Sequence, residues 1–161
     1  MKTGIKVADA MSSKAISVTP KFSVLECAKL MAANKIGALL IAEGEKTIGI
    51  VTERDIVRKA AIRNTALRNI EVSEIMERKL ITVQADEDLY DAITAMNDYD
   101  VRHLPVMRKN DVVGFLTIKD ILRIEPGLFE VVAETDRLGL RDKRHLRYSL
   151  PRDAQEIENL D

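Results

Sequence analysis

The chain has 161 residues, 46% hydrophobic and 32% charged, an ordinary globular composition with enough apolar material for a core. A net charge of -1 gives no global electrostatic pull toward nucleic acid or an anionic membrane, and a single cysteine, Cys27, excludes an internal disulfide and a thiolate zinc cluster. The first six residues contain no apolar stretch and the longest apolar run is Ala38 to Ala42, so neither a secretory signal nor a membrane span is expected and the chain reads as cytoplasmic.

Ile16-Ser17-Val18 alternates apolar and polar side chains, the pattern of a short strand. Ser23 and Glu26 have the spacing of a capping box, and Val24, Ala28 and Met31 then fall on one helical face. Cys27 lies beside Ala28 on this helix and reads as a small core residue. Ala38-Leu39-Leu40-Ile41 suits a buried strand, and the turn Glu43 to Lys46 leads to a further strand from Thr47 to Val51. A second helix starts at Thr52, and Lys59 to Glu71 is expected to continue it.

From Val72 the sequence repeats itself. Shifted by 65 residues, positions 7–58 align without a gap and share 12 identities over 52 positions. Average amino-acid usage would give about three. Met11 meets Met76, Leu39 meets Leu104, Gly49 meets Gly114, Thr52 meets Thr117 and Asp55 meets Asp120. Copy two therefore has a strand at Ile81-Thr82-Val83 and a capping-box start at Asp88 and Asp91. A helical face of Leu89, Ile93 and Met96 follows, then strands Leu104–Met107 and Val112–Leu116 and a helix from Thr117. A unit of about 52 residues is marginal alone, so the two are expected to pack sheet to sheet and create two related clefts. The expected fold class is α/β (α+β): two βαββα repeats forming a pseudo-twofold pair, followed by a C-terminal helical extension.

Each third strand ends in the same motif, Gly49-Ile50-Val51-Thr52-Glu53-Arg54-Asp55 and Gly114-Phe115-Leu116-Thr117-Ile118-Lys119-Asp120. One reading is purely structural, with Thr as N-cap and Asp bonding back to the cap N–H. The other is a nucleotide cradle. The carboxylate accepts from ribose hydroxyls, the Thr hydroxyl donates to phosphate, the helix start attracts an anion, and Arg54 or Lys119 adds a cation.

The two Gly-x-x-Thr-x-x-Asp turns resemble those of the CBS domain family. So do the openings Val7-Ala8-Asp9-Ala10-Met11 and Val72-Ser73-Glu74-Ile75-Met76, and the segment Val101-Arg102-His103-Leu104-Pro105-Val106. The resemblance covers residues 7–123. It implies CBS domain 1 at 7–61, a linker at 62–71, CBS domain 2 at 72–123 and an extension at 124–161. Pairs of this family are regulatory modules that bind AMP, ADP, ATP or S-adenosylmethionine-type ligands between their repeats, and they usually associate as homodimers. Asp55 and Asp120 then look like ribose anchors, and Thr52 and Thr117 like ribose or phosphate contacts.

The cleft of Asp120 would take its adenine-side wall from Thr19, Ile36, Gly37 and Ala38, where Gly37-Ala38 leaves room for a purine. With 4% aromatics and no Trp, the base is expected between aliphatic side chains. The cleft of Asp55 would take the corresponding wall from Val101, Arg102 and His103. Arg102 suits phosphate but also reads as a plain surface charge, and His103 suits phosphate but also reads as a buried, hydrogen-bonded core histidine. This asymmetry favours the Asp120 cleft as the adenosine site, with Arg102 beside its phosphates.

Beyond the repeat, Pro126 suits the first turn of a helix with Leu128, Val131, Val132 and Thr135 on one side. The stretch Arg137 to Tyr148 carries five cations and one acid. It reads as a nucleic-acid or partner-binding arm, or as a solvated or dimer-packing extension neutralised by later acidic residues. His145, without a cysteine in the tail, is not expected to hold zinc. No nucleophile elbow, Walker loop or metal cluster is present, and the two acidic turns belong to separate clefts, so no catalysis and no cofactor are expected. The leading expectation is an adenine-nucleotide sensor acting through an effector protein or its own dimer. The alternatives are a ligand-free dimerisation scaffold and a nucleic-acid-associated factor.

Overall fold

Alternation along two near-continuous apolar strands organises the protein, whose structure, a computed structural model, describes residues 2–127. Met1 and residues 128–161 lie outside the described residues, and with them the helix expected after Pro126 and the basic stretch 137–148. The elements run α1 (Val7–Ala10), β1 (Ser17–Val18), α2 (Val24–Asn34), β2 (Ala38–Glu43), β3 (Lys46–Thr52) and α3 (Glu53–Asp55). The last continues as a π-helical stretch, Ile56–Ala61. After 3-10 turns at Leu67–Asn69 and Val72–Glu74 come β4 (Val83–Gln84), α4 (Leu89–Asp98), β5 (His103–Arg108), β6 (Asp111–Thr117) and α5 (Ile118–Ile124). Among the described residues no helix is long and apolar enough to cross a membrane.

The sheets are copies of one another. β1 pairs parallel with β2 and β2 antiparallel with β3, and β4, β5 and β6 repeat the arrangement. Both hairpins break register at the aligned point, Ile41/Ala42 and Val106/Met107. In copy one Leu39, Ile41 and Val51 pack with Val24, Cys27 and Met31 of α2. The alternate residues Ala38, Leu40 and Ile50 face the other way and cluster with Phe115 of copy two. Both faces of the sheet are thus covered, one by helix and one by its twin, and this is why the strands read as unbroken apolar runs.

The caps follow the sequence in three of four helix starts. Ser23 and Glu26 close a capping box, with Ser23 N donating to Glu26 Oε2 at 2.8 Å and Glu26 N to Ser23 Oγ at 3.2 Å. Thr52 with Asp55 and Thr117 with Asp120 do the same. The box expected at Asp88 and Asp91 does not close. Asp88 caps α4 through Tyr90 N–H at 2.9 Å, and its carboxylate also accepts from Thr3 N–H at 2.9 Å and Gly4 N–H at 2.8 Å. These backbone donors, Thr3 first, hold the Asp88 carboxyl well below the usual range.

The expected continuation of the first copy's last helix through Lys59 to Glu71 fails as well. The helical stretch stops at Ala61, and the chain turns back so that Ile70, Val72 and Ile75 enter the core of copy one at 2% exposure or less. Each such side chain contributes about 1.5–3 kcal/mol relative to exposure, more than a few extra exposed helical residues would.

That return reveals an exchange between the copies. Residues 70–77, which open copy two, bond to copy one: Val72 N–H to Phe22 O at 2.8 Å, and Glu77 and Ile50 to each other at 2.8 and 3.0 Å. Residues 5–12, which open copy one, bond to copy two at the equivalent places: Val7 N–H to Glu87 O at 2.9 Å, and Ser12 and Phe115 to each other at 2.8 Å. The approach is close in both third strands, each of which carries glycine at the contact. A Cβ at Gly114 would collide with Ser12 O, and one at Gly49 would stand 2.8 Å from Met76 Sδ.

Candidate functional site

The strand-to-helix turns begin as caps. Thr52 Oγ1 donates to Asp55 Oδ2 at 2.8 Å while accepting from Asp55 N–H at 3.2 Å, and Thr117 with Asp120 gives 2.6 and 3.3 Å. The hydroxyl donates to the carboxylate and accepts from the amide, so donation to a phosphate requires its proton to turn away from the Asp. Of each carboxylate, Oδ2 serves the cap and Oδ1 remains.

The two Oδ1 atoms differ. Asp55 Oδ1 is held by Lys59 Nζ at 2.9 Å, whereas Asp120 Oδ1 has only Arg123 Nη2 at 3.8 Å, on a side chain 70% exposed. Asp120 Oδ1 is therefore the less engaged of the two, whereas a ligand at Asp55 Oδ1 would share that oxygen with an ammonium.

Each turn opens into a cleft walled by the other copy. The Asp120 cleft, about 590 Å³, takes Ile36, Gly37 and Ala38 from copy one beside Thr117 and Lys119. The Asp55 cleft, about 440 Å³, takes Val101, Arg102 and His103 from copy two beside Thr52 and Arg54. Either volume suits a nucleotide-sized ligand. Thr19 is exposed and lines neither cleft.

Charge separates them further. The Asp120 cleft sets Lys14, Lys35, Arg102 and Lys119 against two acids, Glu53 and Asp120. The Asp55 cleft sets three cations, Arg54, Lys79 and Arg102, against Glu53, Asp55, Glu77 and Asp100. Cations outnumber acids around the first cleft, and acids outnumber cations around the second.

Comparison with known proteins fits this architecture. The sequence profile of the CBS domain matches residues 7–62 and 72–127. The chain belongs to the CBS domain family. The CBS domain pair of protein MJ0100, solved in complex with 5′-methylthioadenosine and S-adenosyl-L-methionine, is 30% identical and superimposes with a TM-score of 0.68 over 76% of this chain and 97% of that one. The CBS protein NE2398 is 33% identical, with a TM-score of 0.71 over 77% of this chain and 98% of that one. Protein MJ0653 of Methanocaldococcus jannaschii is 33% identical over 96% of this chain and 80% of its own length. The chain spans 67%, 63% and 41% of the length of three other curated relatives, from Methanopyrus kandleri, Arabidopsis thaliana and Methanocaldococcus jannaschii.

Within this CBS pair, Gly37, Glu53, Arg102 and His103 line both clefts. A Cβ on Gly37 would stand 2.9 Å from His103 Nε2 and 3.4 Å from Glu53 Oε2. The His103 imidazole thus lies against Gly37, beside the apolar wall of Ile36 and Ala38. Burial pushes the His103 pKa down, and Arg102 and Arg54 act the same way. The Glu53 and Asp120 carboxylates oppose them. Arg54, expected as a phosphate cation, is instead bonded to Asp100 O and Oδ2, both at 3.2 Å.

The sequence reading missed the lead-in residues Ser12 and Lys14 in the Asp120 cleft, and Glu77 and Lys79 in the Asp55 cleft. It also missed Lys35, Glu53, Tyr99 and Asp100. The repeat contained one usable signal, the opposite charges at aligned positions 35 and 100.

Proposed function

We propose that this CBS pair is a non-catalytic regulatory module that binds a phosphorylated adenosyl ligand, AMP, ADP or ATP, in the Asp120 cleft. The observation that carries the reading is the coincidence of the less engaged carboxylate oxygen, on Asp120, with excess positive charge in the same cleft. Asp120 Oδ1 accepts the ribose hydroxyls, the base rests against Ile36 and Ala38, and Arg102 and Lys119 face the phosphates. The adenosyl ligands of MJ0100, a protein of the same fold, support the ligand class. Occupancy then biases how the pair packs on a second copy or on an effector protein.

Thermal melting of the full chain with AMP, ADP, ATP, S-adenosylmethionine and a short DNA duplex tests this. A nucleotide at 100 times its dissociation constant raises stability by about 2.7 kcal/mol. No shift with any adenosyl ligand would leave a dimerisation scaffold. A shift with duplex alone, lost on deletion of residues 137–161, would point to nucleic acid.

A further inference from the structure

Aligned positions around the two clefts carry an exchange of charge. Lys35 follows α2 and Asp100 follows α4, 65 residues apart, and both adopt a left-handed backbone with φ of 54° and 51°. Across the clefts from them stand Lys119 and Arg54, again 65 apart. On the Asp55 side the partners are opposite in charge and joined: Arg54 of copy one holds Asp100 of copy two at 3.2 Å. On the Asp120 side both partners are lysines, Lys35 from copy one and Lys119 from copy two. Neither has an ion-pair partner among the described residues.

We propose that Lys35 and Lys119 form a phosphate clamp spanning the two copies, in which the ligand's phosphate supplies the anion that Asp100 supplies at the other cleft. The inference rests on the proposed function above and adds to it the residues that select phosphorylated over unphosphorylated ligand. The Arg54–Asp100 pair joins the two copies on one side. The other side carries two like charges, and an anion bound between them turns their repulsion into attraction. Lysine suits this role because its compact ammonium follows a mobile phosphate without demanding a fixed fork geometry.

The test is calorimetric titration of AMP and of adenosine into the full chain and its Lys35→Asp variant, which places a carboxylate opposite Lys119 as in the other cleft. AMP affinity is expected to fall by about tenfold or more, the scale of a lost charged hydrogen bond, while adenosine affinity stays that of the wild type. Without ligand, Lys35→Asp is expected to melt above Lys35→Ala, because it forms an ion pair where Lys35→Ala only relieves repulsion. AMP affinity unchanged in Lys35→Asp, or AMP and adenosine affinities falling together, overturns the clamp and leaves the proposed function standing. A wild type that binds neither AMP nor adenosine overturns both.

Discussion

Asp55 and Asp120 show how one residue in one turn acquires two characters. Both carry the cap, and a lysine at position 59 on one side against a distant Arg123 on the other makes Asp120 the less engaged carboxylate. The motif was legible in the sequence; the neighbours that set its availability were not, because they depend on side-chain geometry. The same holds at Gly37. Its lack of a side chain was visible, but the side chain against it, His103, comes from the other copy. Gly37→Ala is expected to cost about 1–3 kcal/mol in urea unfolding through overpacking. The cost should shrink when His103→Ala is also present, the mark of a shared contact. His103 also has a pH signature. Its pKa lies below the ordinary 6.5, so as the pH falls the unfolded chain takes up the proton first. The neutral imidazole therefore contributes stability that is present above about pH 6.5 and lost as the pH drops toward the folded value. Unfolding free energy is expected to fall between about pH 7 and about pH 5.5 in wild type by more than in His103→Gln.

At the scale of elements, strand and helix positions were largely readable because each is written twice and the alternation is clear. The short starting strands were read within a residue or two, at Ser17–Val18 and Val83–Gln84, whereas α1 and the π-helical stretch were not, since neither has a periodic pattern long enough to register. The exchanged lead-ins were hidden for a different reason: Ser12 and Phe115 bond across 103 residues of chain, and nothing local records it. Their trace in the sequence is the paired Gly49 and Gly114. Gly114→Ala drives its Cβ into a backbone oxygen and is expected to destabilise by about 3 kcal/mol, the upper range for overpacking. Gly49→Ala meets Met76 Sδ at 2.8 Å and Glu77 O at 3.1 Å, and the flexible methionine lets it cost less. Urea midpoints of the two variants compare them directly. Equal losses would show that the lead-ins are not held as tightly as these contacts require.

On the scale of the whole molecule, exchange makes the two copies one folding unit. Copy one lacks part of its core without Ile70, Val72, Ile75 and Met76, which lie after its own last helix. A chain cut near residue 64 is therefore expected to give two halves that are unfolded by circular dichroism when separate and regain structure on mixing. A half that folds alone would show the exchanged segments to be dispensable. The same pairing creates the clefts, and asymmetry between the copies gives one of them its charge and its less engaged carboxylate. Calorimetric titration of AMP into wild type, Asp120→Ala and Asp55→Ala tests that claim most directly, because the two variants lose equivalent caps in different clefts. Binding lost in Asp120→Ala and kept in Asp55→Ala is the predicted result. Binding kept in Asp120→Ala and lost in Asp55→Ala would contradict it.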